Sequence, residues 1–246
     1  MRLDRVIAVR NSKMVYRDGD RCIKVFHKAY AKAEVLREAL NHAVVEGTGL
    51  PVPKLLEVTV IEGKWAIAME YFRGKTLKQH AETKENKHKE IEKLVAVQRE
   101  IQEKNPAGLT DMRVQMAERI ERSGLDSEIK ERLLQKMAMM PVRKCLCHGE
   151  LDLSNIIVSD FDDVCILDWS HAAAGDPSAD AAKTYLMFIL GDDNASAEYY
   201  LGVFCRESGI SPEEIKAWMP IIAAAELYHA NEKTRGILRE TAKKVN

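Results

Sequence analysis

The stretch His148-Gly-Glu-Leu-Asp-Leu-Ser-Asn155 gathers an imidazole, two carboxylates and an amide within eight residues. A further carboxylate, Asp168, follows thirteen residues after Asn155 in the run Ile-Leu-Asp-Trp. Carboxylate and amide oxygens are the hard donors that Mg2+ prefers, and because that ion keeps several waters, one of each from the protein is enough. Upstream, Lys24 stands in the alternating run Cys-Ile-Lys-Val-Phe, with Ile23 and Val25 on one strand face and the lysine on the other. A strand-borne cation beside hard oxygen donors is the equipment for holding a metal-complexed polyphosphate. A lysine in that role needs an acid to orient it. Glu38, fourteen residues after Lys24 and thirteen before Pro51, has the best spacing, with Glu34 one helical turn earlier as the fallback.

These residues need elements to carry them. Short apolar runs at 6–9, 14–16 and 22–26 read as strands, and Asp18-Gly19-Asp20 is a turn signal of the kind that closes hairpins. From 31 to 46 the period changes to that of a helix, with Val35, Leu36, Ala39, Leu40, Ala43 and Val44 as the expected apolar stripe, ended by Gly47 and Gly49. Leu-Pro-Val-Pro at 50–53 is an extended connector, because residues before proline avoid the helical region. Strands over 54–61 and 65–71 flank the turn Glu62-Gly63-Lys64. Beyond Gly74 the pattern is helical at 88–103, 112–120 and 129–140, is interrupted by a β-rich block at 144–169, and is helical again from 179 onward. The predicted fold class is therefore α+β in two lobes. Residues 1–73 form an antiparallel sheet with one helix, and residues 74–246 form a mainly helical lobe with a small β-rich block that carries the chemistry.

Composition narrows the function classes. The 246 residues carry 37 basic and 38 acidic side chains and 46% hydrophobic residues, as a soluble globular chain does. A net charge of −1 gives no global pull toward nucleic acid or a membrane surface. The basic residues are not interleaved with aromatics as nucleic-acid readers require. No run of about 18 apolar residues exists to span a membrane. Five cysteines, an odd number in a chain too long to need a disulfide scaffold, favour a reducing compartment, so the expected location is cytoplasmic. The expected oligomeric state is monomer or homodimer. The charges are unevenly spread. Residues 1–80 hold 15 basic and 9 acidic side chains, whereas 148–182 hold eight acidic side chains and no lysine or arginine.

The ordered set comprising the lysine strand, Leu-Pro-Val-Pro, Met69-Glu-Tyr71, His-Gly-x-x-x-x-x-Asn, Ile-Leu-Asp-Trp and Gly175-Asp-Pro-Ser-Ala-Asp180 resembles the aminoglycoside phosphotransferase and choline kinase superfamily, kin of the protein kinases. The resemblance runs over most of the chain. It implies a two-lobed protein-kinase-like fold and transfer of the γ-phosphate of ATP, with Mg2+, to a hydroxyl of a small molecule. It assigns Lys24 and Glu38 to the phosphates, Asn155 and Asp168 to the metal, and the backbone of Glu70, Tyr71 and Phe72 to the adenine edge. Asn11 and Ser12 take the place of the phosphate-covering loop, which lacks the Gly-rich pattern and is equally readable as an ordinary hairpin turn. His148 packs under the catalytic turn, and Asp176 and Asp180 brace it and cap the next helix.

The sequence departs from the family where the catalytic aspartate should stand, for Glu150 occupies that position. An extra methylene carries the carboxylate about 1.5 Å further out, a shift to which near-attack geometry is sensitive. Three readings follow: Glu150 serves as base or hydroxyl-positioning group, Asp152 takes over part of that role, or the chain is a nucleotide-binding pseudokinase with a regulatory role. A protein Ser/Thr kinase is a further alternative, and the lack of an extended activation segment after Asp168 speaks against it. The acceptor site falls to the helices at 105–140 and 180–235, whose acids Asp111, Glu118, Asp192, Asp193 and Glu198 suit a cationic acceptor or simple solvation. Cys145, Cys147 and His148 lack the spacing and the fourth ligand of a structural zinc site.

Overall fold

The computed structural model describes residues 5–9, 13–82 and 84–245, and the chain forms two compact units. The first comprises residues 1–80 together with 153–171. Its centre is a five-stranded antiparallel sheet of β1 (Arg5–Val9), β2 (Lys13–Asp18), β3 (Arg21–Phe26), β4 (Leu55–Ile61) and β5 (Lys64–Glu70), in the order β1-β2-β3-β5-β4. Strand alternation gives the sheet two apolar faces. Phe26, Ile67 and Met69 point toward α1 (Lys32–Glu46) and pack on its Val35 and Ala39, while Ile23, Val25, Ala66 and Ala68 cluster on the opposite face.

Helix α1 is rotated relative to the expected stripe. Its buried residues are Val35, Glu38, Ala39, Asn41, His42 and Val45, whereas Leu36 and Leu40 remain 43% and 58% exposed. Apolarity alone would have turned the two leucines inward. The observed face instead buries three polar side chains, each with a partner described below, and the helix gives up apolar burial to bring them there.

Two short elements absent from the sequence reading follow the sheet: β6 (Lys75–Thr76) and the single-turn helix α2 (Leu77–His80). β6 pairs with β8 (Ile156–Val158), which pairs in turn with β9 (Val164–Ile166), giving a three-stranded sheet. A Cβ at Gly74 would lie 2.3 Å from the Val158 carbonyl oxygen, so glycine is what lets the chain pass there. The Ile166 N–H donates to the Pro51 carbonyl at 2.8 Å, tying β9 to the proline connector.

The second unit comprises residues 81–152 and 172–246. It contains α3 (Lys84–Gln102), α4 (Met112–Glu121), α5 (Ser127–Met139), the strand pair β7 (Cys145–Cys147) and β10 (Ala173–Gly175), and α6 (Pro177–Leu190), α7 (Asn194–Ser208), α8 (Pro212–Glu226) and α9 (Glu232–Ala242). Helix α6 packs on α7 and α8, α3 on α7, and α8 on α4 and α9, around fully buried Tyr200, Phe204 and Trp218. Among the described residues no helix is long and apolar enough to cross a membrane.

Candidate active site

In the first unit, antiparallel register places the lysines. Lys24 on β3 faces Val15 on β2, and Lys13 on β2 faces Phe26 on β3, so both lysines lie on the same sheet face as diagonal neighbours. That face is the one α1 covers. The Lys24 ammonium donates to Glu38 Oε1 at 2.8 Å and to Asp168 Oδ1 at 3.0 Å. The Lys13 ammonium donates to the same Asp168 oxygen at 2.9 Å and lies 3.4 Å from Glu38 Oε1. Two cations and two carboxylates thus form one cluster, with Lys24 and Glu38 buried and Lys13 and Asp168 half-buried. Burial by itself would lower the Lys24 pKa, but the Asp168 and Glu38 carboxylates outweigh it and hold the pKa above the ordinary lysine value. Burial by itself would raise that of Asp168, yet Lys24 and Lys13 hold its carboxyl well below the usual range. Lys24 and Asp168 are therefore both charged at neutral pH.

Asp168 follows β9 with a backbone φ of 64°, a left-handed conformation that aspartate adopts more readily than most residues. The Leu167 N–H donates to the Asn155 carbonyl at 2.8 Å, which fixes the start of β8 beside the end of β9 and sets Asn155 opposite the residue before Asp168. Beyond Asp168 a single 3-10 turn, Trp169–His171, packs on α1. The Asn41 amide contacts the Trp169 and Ser170 carbonyls at 3.4 Å each, and the Trp169 indole N–H donates to the Ile166 carbonyl at 3.2 Å. The His42 Nε2 hydrogen-bonds the Pro53 carbonyl, and burial lowers its pKa so that the ring is neutral. The three buried polar residues of α1 therefore orient the lysine, the segment after Asp168 and the proline connector.

At the end of β5 the Glu70 N–H donates to the Lys54 carbonyl at 2.9 Å and the Tyr71 N–H to the Asp20 carbonyl at 2.8 Å. Two N–H groups of the segment expected at the adenine edge are thus used inside the unit. The Tyr71 ring carries the Arg17 guanidinium 4.1 Å from its centroid, and Phe72 is half-buried. Asn11 and Ser12 lie outside the described residues.

In the second unit His148 is buried and its Nδ1 accepts the Glu150 N–H at 3.3 Å. Gly149 between them has φ 78° and donates its N–H to Asp180 Oδ1 at 2.8 Å. Asp180 Oδ2 accepts from the Gln98 and Gln102 amides at 2.9 and 3.3 Å, and the Thr184 hydroxyl donates to the Leu151 carbonyl at 3.0 Å. Asp176 caps α6 by accepting the Ser178 N–H at 2.8 Å. Glu150 and Asp152 are half-buried. Between residues 152 and 153 the chain passes from the second unit into the first.

Of the acids considered for an acceptor, Asp111 and Asp193 cap α4 and α7. Asp193 also pairs with Lys87, and Glu198 accepts from the Tyr185 hydroxyl. Cys145 and Cys147 have their sulfurs 3.6 Å apart on one strand face. Burial pushes the Cys147 thiol well above its ordinary value, so at neutral pH it is protonated and inert. Sequence reasoning missed Lys13, Gln98 and Gln102. The lysine shares a face with Lys24 only once the strand register is known, and no motif marks glutamines on a helix 80 residues upstream of their partner.

The fold has counterparts among known proteins. Residues 6–218 match the phosphotransferase enzyme family. The chain belongs to that family. Among solved structures, this phosphotransferase resembles the aminoglycoside-3'-phosphotransferase of type VIII at 19% identity over 92% of each chain, with a TM-score of 0.64. It resembles choline kinase LicA from Streptococcus pneumoniae at 14% identity over 99% of this chain and 92% of that one, with a TM-score of 0.66. A thermostable mutant of aminoglycoside phosphotransferase APH(4)-Ia, in a ternary complex with ADP and hygromycin B, is 16% identical over 96% of this chain and 88% of that one, with a TM-score of 0.68. Identities this low establish the fold alone. No curated protein matches this phosphotransferase in sequence.

Proposed function

We propose that this family member transfers the γ-phosphoryl group of ATP to a hydroxyl of a small molecule, with residues 1–73 holding the nucleotide and 74–246 supplying the catalytic loop and the acceptor region. The observation that carries the reading is the Lys24–Glu38–Asp168 cluster, in which a buried lysine is aimed by one carboxylate and touches another. Lys24 binds the phosphates, and Glu38 fixes its rotamer. Asn155 and Asp168 fit Mg2+: both offer hard oxygens, the Leu167–Asn155 hydrogen bond sets Asn155 opposite the residue before Asp168, and Asp168 already collects two cations. Bound Mg2+ would neutralise charge on the phosphates, which matters most for a loose transition state. The backbone of Glu70, Tyr71 and Phe72 meets the adenine edge through groups other than the Glu70 and Tyr71 N–H, which are bonded within the unit. Glu150 orients the acceptor hydroxyl and takes its proton as the oxygen–phosphorus bond forms. His148 holds the turn through the Glu150 N–H, and Asp180 and Asp176 hold the loop and the head of α6.

The test is a panel of small hydroxyl acceptors with Mg2+ and ATP, read by ADP release. A positive acceptor whose turnover disappears in Lys24→Met and Asp168→Asn supports the reading. Turnover unchanged in both variants, or no Mg2+-dependent nucleotide binding, overturns it.

A second reading, a nucleotide-binding pseudokinase, is motivated by Glu150. Glu150→Asp separates the two: a large gain in transfer means the natural chain is impaired, and a loss means Glu150 is fitted to its pocket. A protein Ser/Thr kinase is disfavoured because β10 and α6 begin at residues 173 and 177, leaving no room after Asp168 for an extended activation segment.

A further inference from the structure

Lys13 has no role in the reading above, yet it sits at its centre. It closes the turn expected to cover the phosphates and opens β2. A lysine there would ordinarily extend its ammonium into water, since long charged side chains bury their stems and keep their heads wet. Here the side chain is only 11% exposed, and its Nζ rests 2.9 Å from Asp168 Oδ1, sharing that oxygen with Lys24. It also passes 6.0 Å from the centre of the Phe26 ring.

The two lysines are not equivalent. Lys24 is anchored on Glu38 at 2.8 Å, whereas Lys13 reaches the two Glu38 oxygens at the longer distances of 3.4 and 3.5 Å, so Asp168 is its nearer anchor. Asp168 is also the carboxylate assigned to the metal. A divalent cation arriving there would face two ammonium groups on one oxygen, and the less firmly held of them would leave. The charges agree with such an exchange. With Lys13 the cluster is neutral, whereas without it Glu38 and Asp168 outweigh Lys24. A nucleoside triphosphate carries more negative charge than one Mg2+ cancels, and a net negative cluster would oppose its entry.

We propose that Lys13 is a second phosphate-binding lysine that screens Asp168 in the nucleotide-free protein and passes to the nucleotide's phosphates when Mg2+ takes its place on Asp168. The inference rests on the nucleotide reading of the Lys24 cluster and extends it to a residue outside the family motifs named above.

The test is calorimetric binding of the non-hydrolysable analogue AMP-PNP to the full chain over a Mg2+ series, for wild type, Lys13→Met, Lys13→Arg and Lys24→Met, with thermal unfolding as the check on folding. In Lys13→Met the affinity at saturating Mg2+ falls about tenfold through loss of a charge-assisted contact, and the Mg2+ needed for half-maximal binding falls roughly threefold because a competitor for Asp168 is gone. Lys13→Arg keeps the charge and stays within about threefold of wild type in affinity. A merely structural lysine would not lower the Mg2+ requirement. If Lys13→Met matches wild type at every Mg2+ concentration while Lys24→Met binds weakly, the Lys13 proposal falls and the nucleotide reading stands. If wild type and both Met variants bind nucleotide equally or not at all, both fall. If Lys13→Met unfolds, Lys13→Gln decides by the same two readouts.

Discussion

Two carboxylates, half-buried Asp168 in the first unit and buried Asp180 in the second, are satisfied by opposite means. Asp168 is met by two ammonium groups on a single oxygen. Asp180 is met by neutral dipoles: the Gly149 N–H on one oxygen and the Gln98 and Gln102 amides on the other, with Gln98 itself held by the Tyr200 hydroxyl at 2.6 Å. Fixed dipoles define a geometry and have no reason to leave it. Mobile cations balance a charge and can be exchanged for others. The first arrangement suits a place where ions are exchanged, the role proposed above for Asp168. The second belongs where a backbone turn at φ 78° must stay in place under the loop that carries Glu150.

Breaking each carboxylate should therefore fail differently. Asp168→Asn removes the exchangeable charge, and phosphoryl transfer should fall about a thousandfold, since metal-borne charge stabilisation supplies several kcal/mol. The loss is read in single-turnover transfer to whichever acceptor proves active, with a cooperative melt still present. Asp180→Ala instead strands one N–H and two amides, and should cost about 3 kcal/mol of stability in a urea titration. Asp180→Asn, which keeps an acceptor oxygen, should cost roughly half as much by the same estimate.

Packing around two glycines sharpens the contrast further. An added methyl at Gly74 in the first unit meets the Val158 backbone at 2.3 Å, whereas one at Gly175 in the second meets the Met112 side chain at 2.8 Å. Backbone cannot yield, and at Gly175 the Met112 thioether end can swing aside while its Cβ, also at 2.8 Å, must shift slightly with α4. Gly74→Ala should lower stability by about 3 kcal/mol and Gly175→Ala by about 1 kcal/mol, both by denaturant midpoint. Equal losses would mean that Met112 is as rigid as a strand.

The smallest effect expected is on pH. Burial holds His42 below its ordinary value of 6.5, so the folded chain keeps the ring neutral while the unfolded chain takes up a proton near that pH. The unfolded state then binds more protons, and stability is full above about 6.5 and declines as pH falls below it. Denaturation midpoints at pH 7.5 and 5.5 should differ more for wild type than for His42→Gln. An unchanged difference would show that His42 does not titrate in this window.

Much of this was legible from residue order. Strand alternation at 22–26, the proline connector and the turn signals place Lys24, β4 and β5, because such patterns reflect local sterics and the two-residue strand period. The spacing from Lys24 to Glu38 selects the acid that the lysine reaches. The apolar stripe of α1 was less reliable, since Leu36 and Leu40 suggested a face that the helix does not bury. A hydrophobic pattern reports what could be buried cheaply. It is silent about Glu38, Asn41 and His42, whose burial is recovered through specific partners on other elements. β6 and α2 escaped notice because a two-residue strand and a four-residue helix carry too few residues to show a period.

By itself, then, the sequence determined the family, the α+β class and a short roster of polar residues at characteristic spacings, all of which are encoded in local order along the chain. Only the tertiary structure decided that Lys13 and Lys24 share one sheet face and one carboxylate oxygen, and that Asp180 answers to Gln98 and Gln102. Those pairings join residues 78 to 155 positions apart, and the contact of two such side chains is fixed by strand register and helix rotation, neither of which a linear spacing contains.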